Sequence, residues 1–99
     1  MAYQVDWSPS ALDDVASIAA YIAEDSEFYA AAVVQKIFYR VRQLSASPRR
    51  GRIVPEYGVE NVREIFVYNY RIIYRIIDDS VTIETVIHGR RQMGMELKP

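Results

Sequence analysis

The sequence predicts an α+β domain in the order β-α-α-β-β-β, an N-terminal helical hairpin packed on a twisted antiparallel sheet. Three observations carry that prediction. Apolar residues recur at helical spacing through two segments between residues 9 and 46. From residue 62 to residue 88 the period changes to two, and β-branched side chains dominate. Short polar breaks, Asn69 and Asp78-Asp79-Ser80, then divide this second region into strands joined by tight turns.

Tyr3, Val5 and Trp7 alternate with Gln4 and Asp6, which predicts a strand over 2–7. Ser8-Pro9 supplies a capping hydroxyl and then proline at the first helical position, where its missing N–H costs nothing. Ser10 with Asp13 three residues on is the alternative cap. Leu12, Val15, Ala19 and Ile22, joined by Ala16 and Ala23, predict the buried stripe of a helix over 9–24. Asp13, Asp14, Ser17 and Glu24 occupy its second face. Asp25-Ser26 interrupts the pattern, with Ser26 placed to cap a second helix near 27–46 at Tyr29. The stripe of that helix is Ala30, Val33, Val34, Ile37, Val41 and Leu44, and Ser47-Pro48 ends it. So short a link predicts an antiparallel hairpin.

Arg49-Arg50-Gly51-Arg52 and Pro55-Glu56-Tyr57-Gly58 read as a basic loop. Strands follow over 62–68, 70–77 and 81–88. On the first, Val62, Glu64, Phe66 and Tyr68 oppose Arg63, Ile65 and Val67; on the second, Ile73, Arg75 and Ile77 oppose Ile72, Tyr74 and Ile76. These three strands form an antiparallel meander that the N-terminal strand joins. One face of the sheet buries against the hairpin and the other stays partly open.

At 99 residues the chain forms a single domain, 1–99, able to bury about 60–65 % of its unfolded surface. Cysteine is absent, no apolar run approaches a membrane span, and no export leader is visible, so a cytoplasmic protein without a membrane partner is expected. One histidine and scattered acids give no metal-ligand pattern, and the four glycines are too widely spaced for a nucleotide loop; no cofactor is expected. The net charge of −1 conceals a division. Residues 1–35 carry six acids and no lysine or arginine, whereas residues 36–75 carry nine bases against three acids. A basic surface confined to one part of the fold is implied.

Arg63, Arg71, Arg75, His88, Arg90 and Arg91 form the leading target-binding group, with Arg49, Arg50 and Arg52 on the preceding loop. The guanidinium fork suits phosphate and protein carboxylate equally, so these residues leave open whether the partner is nucleic acid or an acidic protein. The competing reading pairs Arg71 and Arg75 with Glu64 and Glu84 across the sheet. His88 either acts as a general acid or base or merely caps a strand end, and Glu56 and Glu64 are conceivable bases. Tyr57, Tyr68, Tyr70 and Tyr74 are candidate base-stacking residues, although some must fill the core.

Several pieces stand in a characteristic order: Trp7-Ser8-Pro9-Ser10-Ala11-Leu12-Asp13-Asp14, Tyr21-Ile22, Leu44-Ser45-Ala46-Ser47-Pro48-Arg49-Arg50-Gly51-Arg52, Arg63-Glu64-Ile65, Tyr70-Arg71-Ile72-Ile73-Tyr74-Arg75-Ile76 and Val86-Ile87-His88-Gly89-Arg90-Arg91. Together, over essentially the whole length, they resemble the RelE/ParE superfamily of small bacterial toxins from type II toxin–antitoxin modules. The resemblance implies neutralisation by a cognate antitoxin encoded by the neighbouring gene. One branch of the superfamily binds the ribosomal A site and cleaves mRNA through the 2′-hydroxyl; another poisons DNA gyrase.

Carried onto this chain, the ribonuclease pattern matches Arg71 to a phosphate-contacting arginine and Arg91 to one that stabilises the leaving group. His88 or Glu64 would then move the proton. Val62 and Glu64, however, stand where ribosome-dependent members carry lysines, and Leu97 is nearest to the tyrosine of their C-terminal helix. His88-Gly89 also departs from the terminal His-Tyr of the other nuclease subgroup. Losing an aromatic platform and two cations removes substrate orientation and proton transfer. The resemblance is therefore closer to the ParE-like branch, implying a non-enzymatic inhibitor of DNA gyrase. A ribosome-dependent mRNA endoribonuclease and a non-toxic protein-binding module are the alternatives. The segment from Arg90 to Pro99, with Met93, Met95, Leu97 and Lys98, is expected either to dock on the target or to fray.

Overall fold

The computed structural model describes residues 2–89, so the expectations for Arg90, Arg91 and the segment to Pro99 lie outside the described residues. Gln4–Trp7 forms β1. The Ser8 hydroxyl accepts the Ala11 N–H at 3.0 Å and Pro9 opens α1, Pro9–Ala23, so Ser10 lies inside the helix rather than at its cap. Ser26 caps α2, Glu27–Arg42, by accepting the Tyr29 N–H at 3.0 Å. The second helix stops short of residue 46, because the chain tightens into a 3-10 turn at Gln43–Ser45 and another at Pro48–Arg50. Four strands complete the sheet: β2 at Arg52–Ile53, β3 at Val62–Val67, β4 at Tyr70–Ile77 and β5 at Ser80–His88.

The strand order is β1-β5-β4-β3-β2. The C-terminal meander is antiparallel, as the alternation requires. β2 adds a two-residue edge strand inside what the sequence presents as a loop. β1 runs parallel to β5, from Gln4 beside Ser80 to Trp7 beside Ile83. Ser8 holds this direction: its N–H donates to the Ile83 carbonyl at 2.9 Å and its hydroxyl to the Glu84 carbonyl at 3.1 Å. The chain therefore leaves β1 along β5 and turns directly into α1.

Helices cover one sheet face, where Val33, Ile37, Val41 and Leu44 meet Ile65, Ile72, Tyr74, Val81 and Ile83. On α1 the buried stripe is rotated from the predicted one. Ala11 and Val15 are buried and Ile18 and Ile22 pack against the core, while Leu12 is 46 % exposed. The small Ala11 side chain lets the first turn of the helix approach the sheet closely. Opposite parity on β4 carries Arg71, Ile73 and Arg75 to the other face. That face is less open than predicted, because Val54 and Tyr57 fold back over Val62, Ile73 and Ile87 as a second, smaller core.

Both hairpins turn in two residues. Tyr68-Asn69 joins β3 to β4 and Asp78-Asp79 joins β4 to β5, with positive φ at Tyr68 (54°) and Asp78 (52°). β5 also carries a bulge: Ile73 faces Thr85 and Tyr74 faces Ile83, leaving Glu84 as the extra residue.

Candidate functional site

Arg71 sits mid-sheet with its side chain only 6 % exposed. Its fork grips Glu56 through Nη1 to Oε2 at 2.9 Å and Nη2 to Oε1 at 3.0 Å. Its Nε also donates to Glu64 Oε1 at 2.7 Å. Glu64, completely buried at its side chain, accepts Arg52 Nε on its other oxygen at 2.6 Å. Among the described residues two guanidiniums and two carboxylates thus meet in one network. Hydrogen bonding to Glu56, then to Glu64, raises the Arg71 pKa further against the opposing effect of burial, so the charge is permanent. The network fastens the 54–58 turn onto the sheet. Arg52 also lies over the Phe66 ring, 5.5 Å from its centroid.

The remaining sequence candidates divide. Arg75 pairs with Glu84 at 3.3 Å, so both cross-strand pairings, to Glu64 and to Glu84, are present. The bulge at Glu84 brings that pair together. Arg63 does not pair with Glu64; it donates to the backbone carbonyls of Glu60 at 2.9 Å and Gly51 at 2.9 Å. Arg49 lies 3.5 Å from Glu60, and Arg50 donates to Gln43 at 2.8 Å. Tyr74 is excluded as a stacking residue: it is fully buried, donating to the Pro48 carbonyl at 2.7 Å and accepting the Gly51 N–H at 3.0 Å. Tyr57 belongs to the smaller core, which leaves Tyr68 exposed and Tyr70 half-buried.

His88 is exposed at the end of β5, edge-on to Tyr70 with centroids 5.8 Å apart. It lines a cleft of about 390 Å³ with Phe66, Tyr68 and Asn69, and a second of about 710 Å³ with Asp14, Tyr21 and Tyr70. Asp14, read from the sequence only as a polar helix position, accepts the Thr85 hydroxyl at 2.8 Å and the Val86 N–H at 3.0 Å, tying α1 to β5. The exposure of the rings at positions 21, 28 and 29 was not anticipated. Their signal was present: Phe28 and Tyr29 are apolar residues off the buried stripe of α2. Among the described residues no cluster of His, Cys, Asp or Glu could hold a metal ion, and no helix is long and apolar enough to cross a membrane.

Solved structures share this fold. The chain is similar to one from the chromosomal ParDE toxin–antitoxin system of P. aeruginosa, at 20 % identity and TM-score 0.72, covering 87 % of this chain and 95 % of that one. It is also similar to a mutant E. coli toxin RelE in the free state, at 21 % identity and TM-score 0.67, covering 91 % and 86 %. A chain of the RelBE2 toxin–antitoxin complex of Mycobacterium tuberculosis matches at 26 % identity and TM-score 0.61, covering 89 % and 99 %. No curated protein sequence matches. The fold is that of the RelE/ParE toxins. Residues 5–93 match the model of the ParE toxin of the type II toxin–antitoxin system, parDE, and the chain belongs to that family.

Proposed function

We propose that this type II toxin acts as a ParE-like inhibitor of DNA gyrase, trapping the enzyme during DNA cleavage and so arresting replication. It acts in the cytoplasm and is neutralised by a cognate antitoxin whose acidic, amphipathic segment folds onto it. The observation that carries this reading is the network that joins Arg71, Glu64, Glu56 and Arg52 among the described residues. A ribonuclease of the RelE kind needs an arginine fork free to clamp phosphate and a base within reach of a 2′-hydroxyl. Here the fork of Arg71 holds two carboxylates, and each oxygen of Glu64 already accepts from an arginine. Opening the network would leave a buried charge unpaired. Family membership supports the same branch.

The test is expression of the chain in cells with and without the neighbouring antitoxin. Growth arrest with filamentation and double-strand DNA breaks, reversed by the antitoxin, is the expected result. Arrest with an intact chromosome and mRNA cut at codon positions would overturn it.

A further inference from the structure

Aromatic side chains that neither core uses gather where α1 passes into α2. Phe28 is 87 % exposed and Tyr21 72 %. Tyr29 reaches across to the β3–β4 turn, its ring 6.1 Å from that of Tyr68. Tyr21 and Tyr70 line one cleft on the sheet side of α1. Tyr68 holds a φ of 54°, a left-handed conformation that a bulky side chain rarely adopts and glycine adopts freely. The position opens a two-residue hairpin turn, which requires φ > 0 as at Asp78 in the other hairpin, so glycine can replace Tyr68 without disturbing the turn.

Charge indicates what this surface takes. Glu24, Asp25 and Glu27 stand among the ring-bearing positions, and no lysine or arginine precedes Lys36. Exposed carboxylates at Glu24, Asp25 and Glu27 repel a phosphate backbone and favour cations. Exposed tyrosine and phenylalanine are characteristic anchors of protein interfaces. We infer that this aromatic, acidic end is the surface by which the toxin grips its target protein, through a segment that sets lysine or arginine among apolar side chains. The acidic antitoxin fits the opposite end, where Arg42, Arg49 and Arg50 are exposed. The inference takes only the identity of the target from the gyrase reading.

The experiment compares wild type with Phe28→Ala, Tyr68→Gly and the double variant Glu24→Lys/Glu27→Lys. Each is assayed for melting temperature, antitoxin affinity, growth arrest at matched protein level and inhibition of purified gyrase. Tyr68→Gly should melt at or above the wild-type temperature, because glycine relieves the backbone. All three should bind antitoxin within twofold of wild type, yet need at least tenfold more protein to arrest growth. Full toxicity in Phe28→Ala and Tyr68→Gly overturns the inference. Lost antitoxin binding with toxicity retained assigns the surface to the antitoxin and overturns it too. Greater toxicity in the charge-reversed chain points to nucleic acid and does the same. Wild-type toxicity with gyrase unaffected refutes the gyrase reading alone, and the growth assay still decides the surface.

Discussion

Arg71 and Glu64 determine what the open-face arginines can do. Truncating Arg71 to Ala removes both bonds to Glu56 and leaves the buried Glu64 with Arg52 alone. Breaking a buried pair in this way costs about 3–5 kcal/mol. Urea unfolding should show that loss, and Arg71→Met combined with Glu64→Leu should restore much of it. A loss under about 1 kcal/mol together with lost toxicity would instead place Arg71 on the target. Gly51 is needed for close approach: a Cβ there would meet the Glu64 carbonyl and, at 2.6 Å, the Tyr74 hydroxyl. Gly51→Ala should cost about 1–3 kcal/mol in the same assay. Tyr74 gives a pH prediction. Burial raises its pKa above the ordinary 10.0, outweighing the lowering hydrogen bond from Gly51. The unfolded chain then releases its proton first, so stability is intact below pH 10 and falls as pH rises beyond it. Tyr57 and Tyr70 are shifted the same way, so Tyr74→Phe should flatten that alkaline slope without abolishing it. An unchanged slope in pH-dependent unfolding would contradict the assignment.

The caps of the two helices differ in what they join. Ser26 only accepts from Tyr29, so Ser26→Ala should cost about 1 kcal/mol. Ser8 caps α1 and also donates to the Glu84 carbonyl, so Ser8→Ala should cost more; equal losses in thermal unfolding would refute the bridging role. These elements show how far the sequence could be read. The two serine caps and the alternation from 62 to 88 were legible because each depends on neighbours within a few residues. The direction of β1 was not, since Ser8 meets Ile83 and Glu84 some 76 positions away. β2 has only two residues and no period to detect. The α1 stripe was misplaced by one position because alanines fill two faces, and only packing decides which faces the sheet. The pairing of Arg71 with Glu64 was readable as a cross-strand contact. Its bond to Glu56 was hidden, because a loop must fold back to make it.

Across the whole molecule the divided charge of the sequence becomes a divided surface. Acids and exposed rings lie at the start of α2, while Arg40 and Arg42 lie in its last turn, on a helix of about 24 Å. β3 spans the same two ends, with Arg63 bonded to the Gly51 carbonyl at one and Tyr68 beside Tyr29 at the other. These two ends are the surfaces that the proposal assigns to a cationic segment of the target and to the acidic antitoxin. The central claim is that this toxin stops gyrase and does not cut RNA. Its most direct measurement incubates the purified chain with gyrase and supercoiled plasmid, and in parallel with programmed ribosomes. Gyrase-dependent linear DNA with intact mRNA is the predicted result; cleavage of A-site mRNA with unimpaired supercoiling would contradict it.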